Sequence, residues 1–293
     1  MISIFLQLLI NGVIAGAIYA LVASGFSLIY STNKFVHFAH GGVIALSAYF
    51  LFWLFSILGF NFAIAILLTV LFSALLGYLL NKIFYKPLRA KKASFSILLV
   101  ASIAILILLE SLALLLFGAN VKTIDFIKNN QGIKIAGAII TPLQLVIILV
   151  SIVLFFGLYF LMKKTKIGKA MRAVADNKDV AEISGISAEK IYSLSFAIGS
   201  AIAGIAAILI SLEQNIEPMM GTNLMVKGFV GAIIGGIGSV PGAILGSFLL
   251  GLVENFGIWF LPSGYKDAIA FILLFAFLLF RPQGILGIKS NQK

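Results

Sequence analysis

Only one long polar run, Lys163 to Lys190 (KKTKIGKAMRAVADNKDVAEISGISAEK), interrupts a chain otherwise made of apolar segments of membrane-crossing length. Within the run, Ile167, Ala170, Met171 and Val174 recur at helical spacing, and Val180, Ala181 and Ile183 begin a second apolar face. Asp176 or Asn177 is placed to cap the second helix, Asp179 falls in its first turn, and Gly185 is placed to end it in a left-handed conformation. The spacing therefore predicts a compact helix-turn-helix between two spans. Such an element serves either as a docking surface for a partner or as an amphipathic loop on anionic headgroups.

With 61% hydrophobic and 11% charged residues among 293, the chain has too little polar surface to close around a water-soluble core. A polytopic membrane protein of the all-α class follows. Cysteine is absent, which excludes disulfides, thiolate metal sites and cysteine nucleophiles, and two histidines leave little for a histidine-rich cofactor site. The net charge of +11 would suit nucleic acid only if it were spread over a surface. Instead five basic residues fall in 82–92, seven in 163–190 and three from Arg281 onward, fifteen of the 21. The positive-inside rule places all three clusters in the cytoplasm and leaves no nucleic-acid partner to invoke. No Lys or Arg precedes position 34, so the charged start of a cleavable signal peptide is missing and the first apolar run should remain as a span.

In order, apolar spans are expected over 4–30, 43–58, 61–84, 95–117, 142–162, 191–212 and 267–280, with a Gly-rich apolar stretch from Gly228 to Gly251. Small residues Gly12, Ala15, Gly16, Ala20 and Ala23 in the first run allow close helix approach, as do Gly199, Ala203 and Gly204 in the sixth. Residues 31–42 form a turn or broken helix in which His40 lines a pathway or sits at the interface. Pro87 is expected to stop the third span. Glu110, costing at least ~2.5 kcal/mol at depth if unpaired, should lie near an interface or face the bundle. Residues 118–141 are expected to form a small external hairpin, and 213–223 a second external loop. Gly235, Gly236 and Gly238 ahead of Pro241 predict a helix break, giving two shorter helices or a re-entrant element, with Gly242 and Gly246 continuing the small-residue face. These glycines are not a phosphate-binding loop, because no βαβ context and no GK[ST] follows. Eight or nine crossings result, and no internal repeat is evident.

Five motifs, in order, carry a resemblance that covers nearly the whole chain: Phe38-Ala-His40-Gly41, Tyr85-Lys-Pro-Leu-Arg89, Gly168-Lys-Ala-Met171-Arg172-Ala-Val174-Ala-Asp176-Asn177 with Ala181 and Gly185, Gly235-Gly236-Ile-Gly238-Ser-Val-Pro241-Gly242, and Arg281-Pro-Gln-Gly284. Together they resemble the LivH-type permeases of branched-chain amino-acid ABC importers. Position 42 is Gly where relatives often carry an acidic residue, so no carboxylate role transfers there.

The resemblance implies a single permease domain over 1–293 that pairs with a second, LivM-like permease. It also implies two cytoplasmic ATPases that use ATP and Mg, and an extracytoplasmic solute-binding protein. This chain would bind no cofactor and hydrolyse nothing, having no GxxxxGK[ST]. Its place would be the bacterial-type cytoplasmic membrane. Residues Gly168, Met171, Arg172, Val174, Asp176, Ala181 and Gly185 would couple it to the ATPase, Met171 and Val174 entering a groove from an exposed face. Phe38, His40, Gly41, Gly235, Gly236, Gly238, Pro241 and Gly242 would line the translocation path or pack helices closely. A related substrate such as urea, a short amide or another amino acid is the alternative, followed by an ion-coupled carrier. An integral-membrane enzyme would have only Glu110, His40, Glu254 and Asn255 to work with.

Overall fold

A computed structural model describes residues 1–124, 126, 132–135 and 137–287. Among them, eight helical segments are long and apolar enough to cross a membrane. The helices are α1 Ile2–Asn33, α2 Ala39–Phe52, α3 Phe62–Leu80, α4 Lys86–Ala90, α5 Phe95–Phe117, α6 Pro142–Lys164, α7 Lys166–Asp176, α8 Lys178–Ile183, α9 Ala188–Glu213, α10 Met220–Gly235, α11 Val240–Gly257 and α12 Lys266–Phe280. The all-α polytopic expectation holds. Within 118–141 the described residues include the antiparallel strands β1 Ile133–Ile135 and β2 Ala138–Ile140; Asp125, 127–131 and 136 of the expected hairpin, and 288–293 of the basic tail, lie outside the described residues.

Local chemistry accounts for the helix ends. Asn61, Ser94 and Thr165 accept backbone N–H groups at the starts of α3, α5 and α7. Thr141 and Gln144 form a reciprocal capping box around Pro142, the first residue of α6. Pro87 does not stop the third span as the sequence predicted. A π-helical turn, Asn81–Tyr85, leads directly into α4, where Pro87 occupies the first turn and its missing N–H is no loss. The first interruption is also shorter than 31–42: α1 runs to Asn33 and α2 starts at Ala39.

The chain divides into two compact units. One comprises Met1–Ser27, Phe126–Val153 and the residues from Val226 on; the other comprises Leu28–Asp125 and Leu154–Met225. In the second unit, α2, α3, α5 and α9 pack on one another. Small residues set the α3–α9 spacing, since Gly77 backs onto Ser200 and Gly204 onto Ser73. Ser73 in turn hydrogen-bonds Ser47 of α2 at 2.8 Å. Glu110 faces the interior, accepting from the Thr222 hydroxyl at 2.6 Å.

In the first unit, α1 lies against α11 through Gly12 and Gly16, where a Cβ would come within 3.0 and 2.9 Å of the Leu252 and Phe248 Cα atoms. Helices α10 and α11 form an antiparallel hairpin in which a Cβ on Gly235 would strike the Gly242 carbonyl and one on Gly246 the Gly231 carbonyl. Gly236 and Gly238, with φ of 110° and 87°, make the turn. Ser239 caps α11 and Pro241 sits in its first turn. The predicted break is thus a turn between two helices. Helix α10, 16 residues or about 24 Å, is shorter than the ~30 Å hydrocarbon core. Its last carbonyls are completed from elsewhere: the Ile285 N–H donates to Ile234 O at 2.9 Å and the Leu286 N–H to Gly235 O at 2.8 Å. Gly284, φ 75°, bends the chain after Arg281-Pro-Gln so that it reaches them.

The positive-inside rule, applied to the three basic clusters, requires an even number of crossings between the first two, supplied by α5 and α6, and between the second and third, so it predicts that α10 crosses with α9, α11 and α12. Tracing back through α3, α2 and α1 puts the start of α1 outside. Cysteines introduced at the exposed positions Ile2 and Met219 should react with an impermeant reagent from outside only, and those at Lys34 and Lys178 from the cytoplasm only; external labelling at 178 would overturn the arrangement. The hairpin generates a second expectation. Gly235→Ala should lower stability in detergent by about 1–3 kcal/mol through overpacking. Gly157→Ala, in the interior of α6 where a Cβ meets nothing within 4 Å, should keep or slightly raise the unfolding temperature.

Candidate functional site

The polar run folds as the capping residues dictate. Thr165 accepts from Gly168 N at 3.0 Å to start α7, and Asn177 accepts from Asp179 N and Val180 N at 3.0 and 3.1 Å to start α8. Gly185, φ 83°, closes α8, while the Ile186 N–H donates to Ala181 O at 2.9 Å. Gly168 is required by packing, because a Cβ there would meet the Leu161 carbonyl. Helix α7 packs on α8 and α9.

One expectation is corrected here. Met171 and Val174 are 0% and 2% exposed, and Ala181 is 3% exposed, so they hold the helix pair to its own chain rather than presenting a face to a groove. Helical periodicity identifies an apolar stripe without saying what covers it. The apolar side chains left outside are Ile167, Val180 and Ile183, at 41, 58 and 87%. Arg172 and Asp176 are exposed as well.

Directly after α8, the start of α9 enters a polar junction that the sequence did not reveal. Arg89 makes a forked pair with Glu189, Nε to Oε1 at 3.1 Å and Nη2 to Oε2 at 2.9 Å. Its Nη2 also reaches Asn81 at 2.7 Å, its Nη1 reaches Asn33 at 3.4 Å, and the guanidinium lies 4.7 Å from the Tyr192 ring centre. The ends of α1 and α3 are thereby tied to α4 and α9.

The first motif lies beside this junction. Phe38 is half-buried at the start of α2, and His40 is fully buried in its first turn, not at an interfacial loop. The Ser102 hydroxyl of α5 caps α2 by accepting the Ala39 N–H at 3.2 Å. His37 Nδ1 pairs with the Tyr85 hydroxyl at 2.9 Å, and Phe35, Tyr85 and Phe196 surround the imidazole. Burial, reinforced by His40 nearby, pushes the His37 imidazole well below its ordinary range and keeps it neutral. Gly41 crosses α10 backbone to backbone, a Cβ there coming within 2.8 Å of Gly221 O. His40 and Gly41 thus lie together in one unit, while Gly235, Gly236, Gly238, Pro241 and Gly242 form the hairpin of the other.

In that other unit the structure gives Glu254 the charged partner that the sequence reading passed over. Lys227 of α10 binds Glu254 of α11 and Asp267 of α12, and Glu254 also accepts from Tyr19 of α1. A lone lysine inside an apolar run was the available signal. Among the described residues no group of three or more His, Cys, Asp or Glu is placed to hold a metal ion.

Comparison with known proteins places this geometry. The permease protein BraD of the high-affinity branched-chain amino-acid transport system of Pseudomonas aeruginosa is 34% identical over 99% of this chain and 98% of its own length. The corresponding LivH protein of Escherichia coli K12 is 32% identical over 99% and 97%. A probable branched-chain amino-acid permease LivH of Methanocaldococcus jannaschii is 30% identical over 96% and 92%. No solved structure gives a significant match. Residues 8–278 match the family described as branched-chain amino acid transport system / permease component, and the chain belongs to that family.

Proposed function

We propose that this chain is the permease subunit of an ATP-driven importer that carries leucine, isoleucine and valine across the cytoplasmic membrane. The observation that carries the reading is full-length similarity: the family match runs through both compact units, which supports treating them as one permease domain. Eight apolar helices supply the multi-pass body. The partners would be a second, related permease, two cytoplasmic ATPases that bind ATP and Mg, and an external solute-binding protein. His40 with Gly41, and separately the glycine hairpin, would border the path.

The α7–α8 pair is the coupling element in this reading. It offers an apolar face at Val180 and Ile183 that water would otherwise cover, and helix-in-groove docking buries such a face. Its displacement would pass through Gly185 to the start of α9, where Glu189 and Arg89 join three other helix ends.

The test is to purify the chain with its ATPase and measure uptake and hydrolysis. Ile183→Asp removes burial worth roughly 1.5–3 kcal/mol, so it should weaken ATPase retention about tenfold or more while the spans still insert. Val174→Asp should instead lower the recovery of folded protein, since that side chain is internal. Equal ATPase retention and equal uptake for wild type and Ile183→Asp would overturn the coupling assignment. A second variant follows from the junction. Arg89→Lys keeps the charge but loses the fork, so it should retain ATPase binding and reduce uptake per ATP hydrolysed; unchanged stoichiometry would count against the relay.

A further inference from the structure

The coupling reading leaves one group of intramembrane charges without a task. Lys227 lies midway along α10. Its Nζ donates to Glu254 Oε1 at 2.5 Å and to Asp267 Oδ1 at 2.7 Å. The two carboxylates are not equivalent. The Glu254 side chain is 0% exposed, and its second oxygen accepts from the Tyr19 hydroxyl at 2.9 Å. Removing it would strand a buried cation, so Glu254 is a fixed counter-ion. The Asp267 side chain is 77% exposed at the start of α12, so its release from Lys227 leaves a carboxylate at the surface of the chain rather than a buried one.

An ammonium with one fixed and one replaceable carboxylate is a receptor for a carboxylate. We propose that Asp267 occupies, in the unloaded permease, the place on Lys227 that the α-carboxylate of the transported amino acid takes. The exchange balances. One carboxylate leaves Lys227 as another arrives, no bond is broken other than hydrogen bonds, and neither Lys227 nor Glu254 is left without a counter-charge. Recognition at this point reads the part common to all amino acids. The apolar side chains of Val226, Val230 and Leu250 pack together in this unit with Tyr19 beside them, a setting that suits cargo with aliphatic side chains of differing shape. Asp267 then acts as an internal competitor that lowers apparent affinity by the fraction of time it holds the lysine.

This proposal rests on the importer reading, and the experiment separates the two. The purified permease–ATPase complex, without solute-binding protein, is titrated with radiolabelled leucine. Asp267→Asn, at an exposed position, should bind leucine at least about threefold more tightly than wild type. Lys227→Gln combined with Glu254→Gln, which removes both buried charges together, should bind about tenfold or more weakly, the loss expected for a charge-assisted hydrogen bond. 3-Methylbutylamine, which lacks the carboxylate, should not compete. Unchanged or weaker binding by Asp267→Asn, or equal competition by the amine, overturns the proposal, as does absence of binding by both wild type and Asp267→Asn. If the complete wild-type system with its binding protein imports leucine and Asp267→Asn binds no more tightly, this proposal alone fails. If the complete wild-type system imports no leucine, the importer reading fails first.

Discussion

Every backbone N–H and C=O in a membrane must find a partner within the protein, and a demanding place here is the C-terminal end of α10. A helix of 16 residues stops at Gly235, its neighbour α11 begins at Val240, and the turn between them starts from the buried Gly235 and Gly236. Three conditions allow it. Glycines at 235 and 242 let the two backbones touch, positive φ at 236 and 238 closes the turn, and Ile285 and Leu286 supply the N–H groups that the last carbonyls lack. Two of the recognisable motifs, Gly235-Gly236-Ile-Gly238-Ser-Val-Pro241-Gly242 and Arg281-Pro-Gln-Gly284, are therefore halves of one structural joint. Their separation in sequence conceals that they meet.

The second unit solves a related problem with side chains. Serines at 47, 73 and 200 and glycines at 77 and 204 bring α2, α3 and α9 together without bulk, and polar contacts between helices replace the hydrophobic driving force that lipid does not provide. Where α1, α3, α4 and α9 meet, the contacts become ionic. Arg89 gathers four helix ends through a partly exposed forked ion pair with Glu189.

Much of this was legible in the sequence where one residue dictates local geometry. Asn177 and Gly185 announced the limits of α8, Pro142 the start of α6, and the glycines ahead of Pro241 the hairpin. What was not legible depended on the partner across a tertiary contact. Met171 and Val174 were visible as an apolar stripe, yet only the packing of α7 on α9 shows that the chain itself covers them. Pro87 read as a stop because a π-helical turn ahead of it has no simple sequence signal. Glu254 was noticed as a charge in an apolar run, whereas its counter-ion stood 27 residues away in a stretch read for its glycines.

The closure of α10 by Ile285 and Leu286 sets an order on biogenesis. These two residues follow α12, so they are synthesised only after the hairpin they complete. Until then the carbonyls of Ile234 and Gly235 await their partners, and the inserted hairpin is provisional. A polypeptide interrupted before Gly284 would carry all its spans and still lack the two bonds that finish the joint, so it would differ from the finished product in the backbone left exposed at this end of α10.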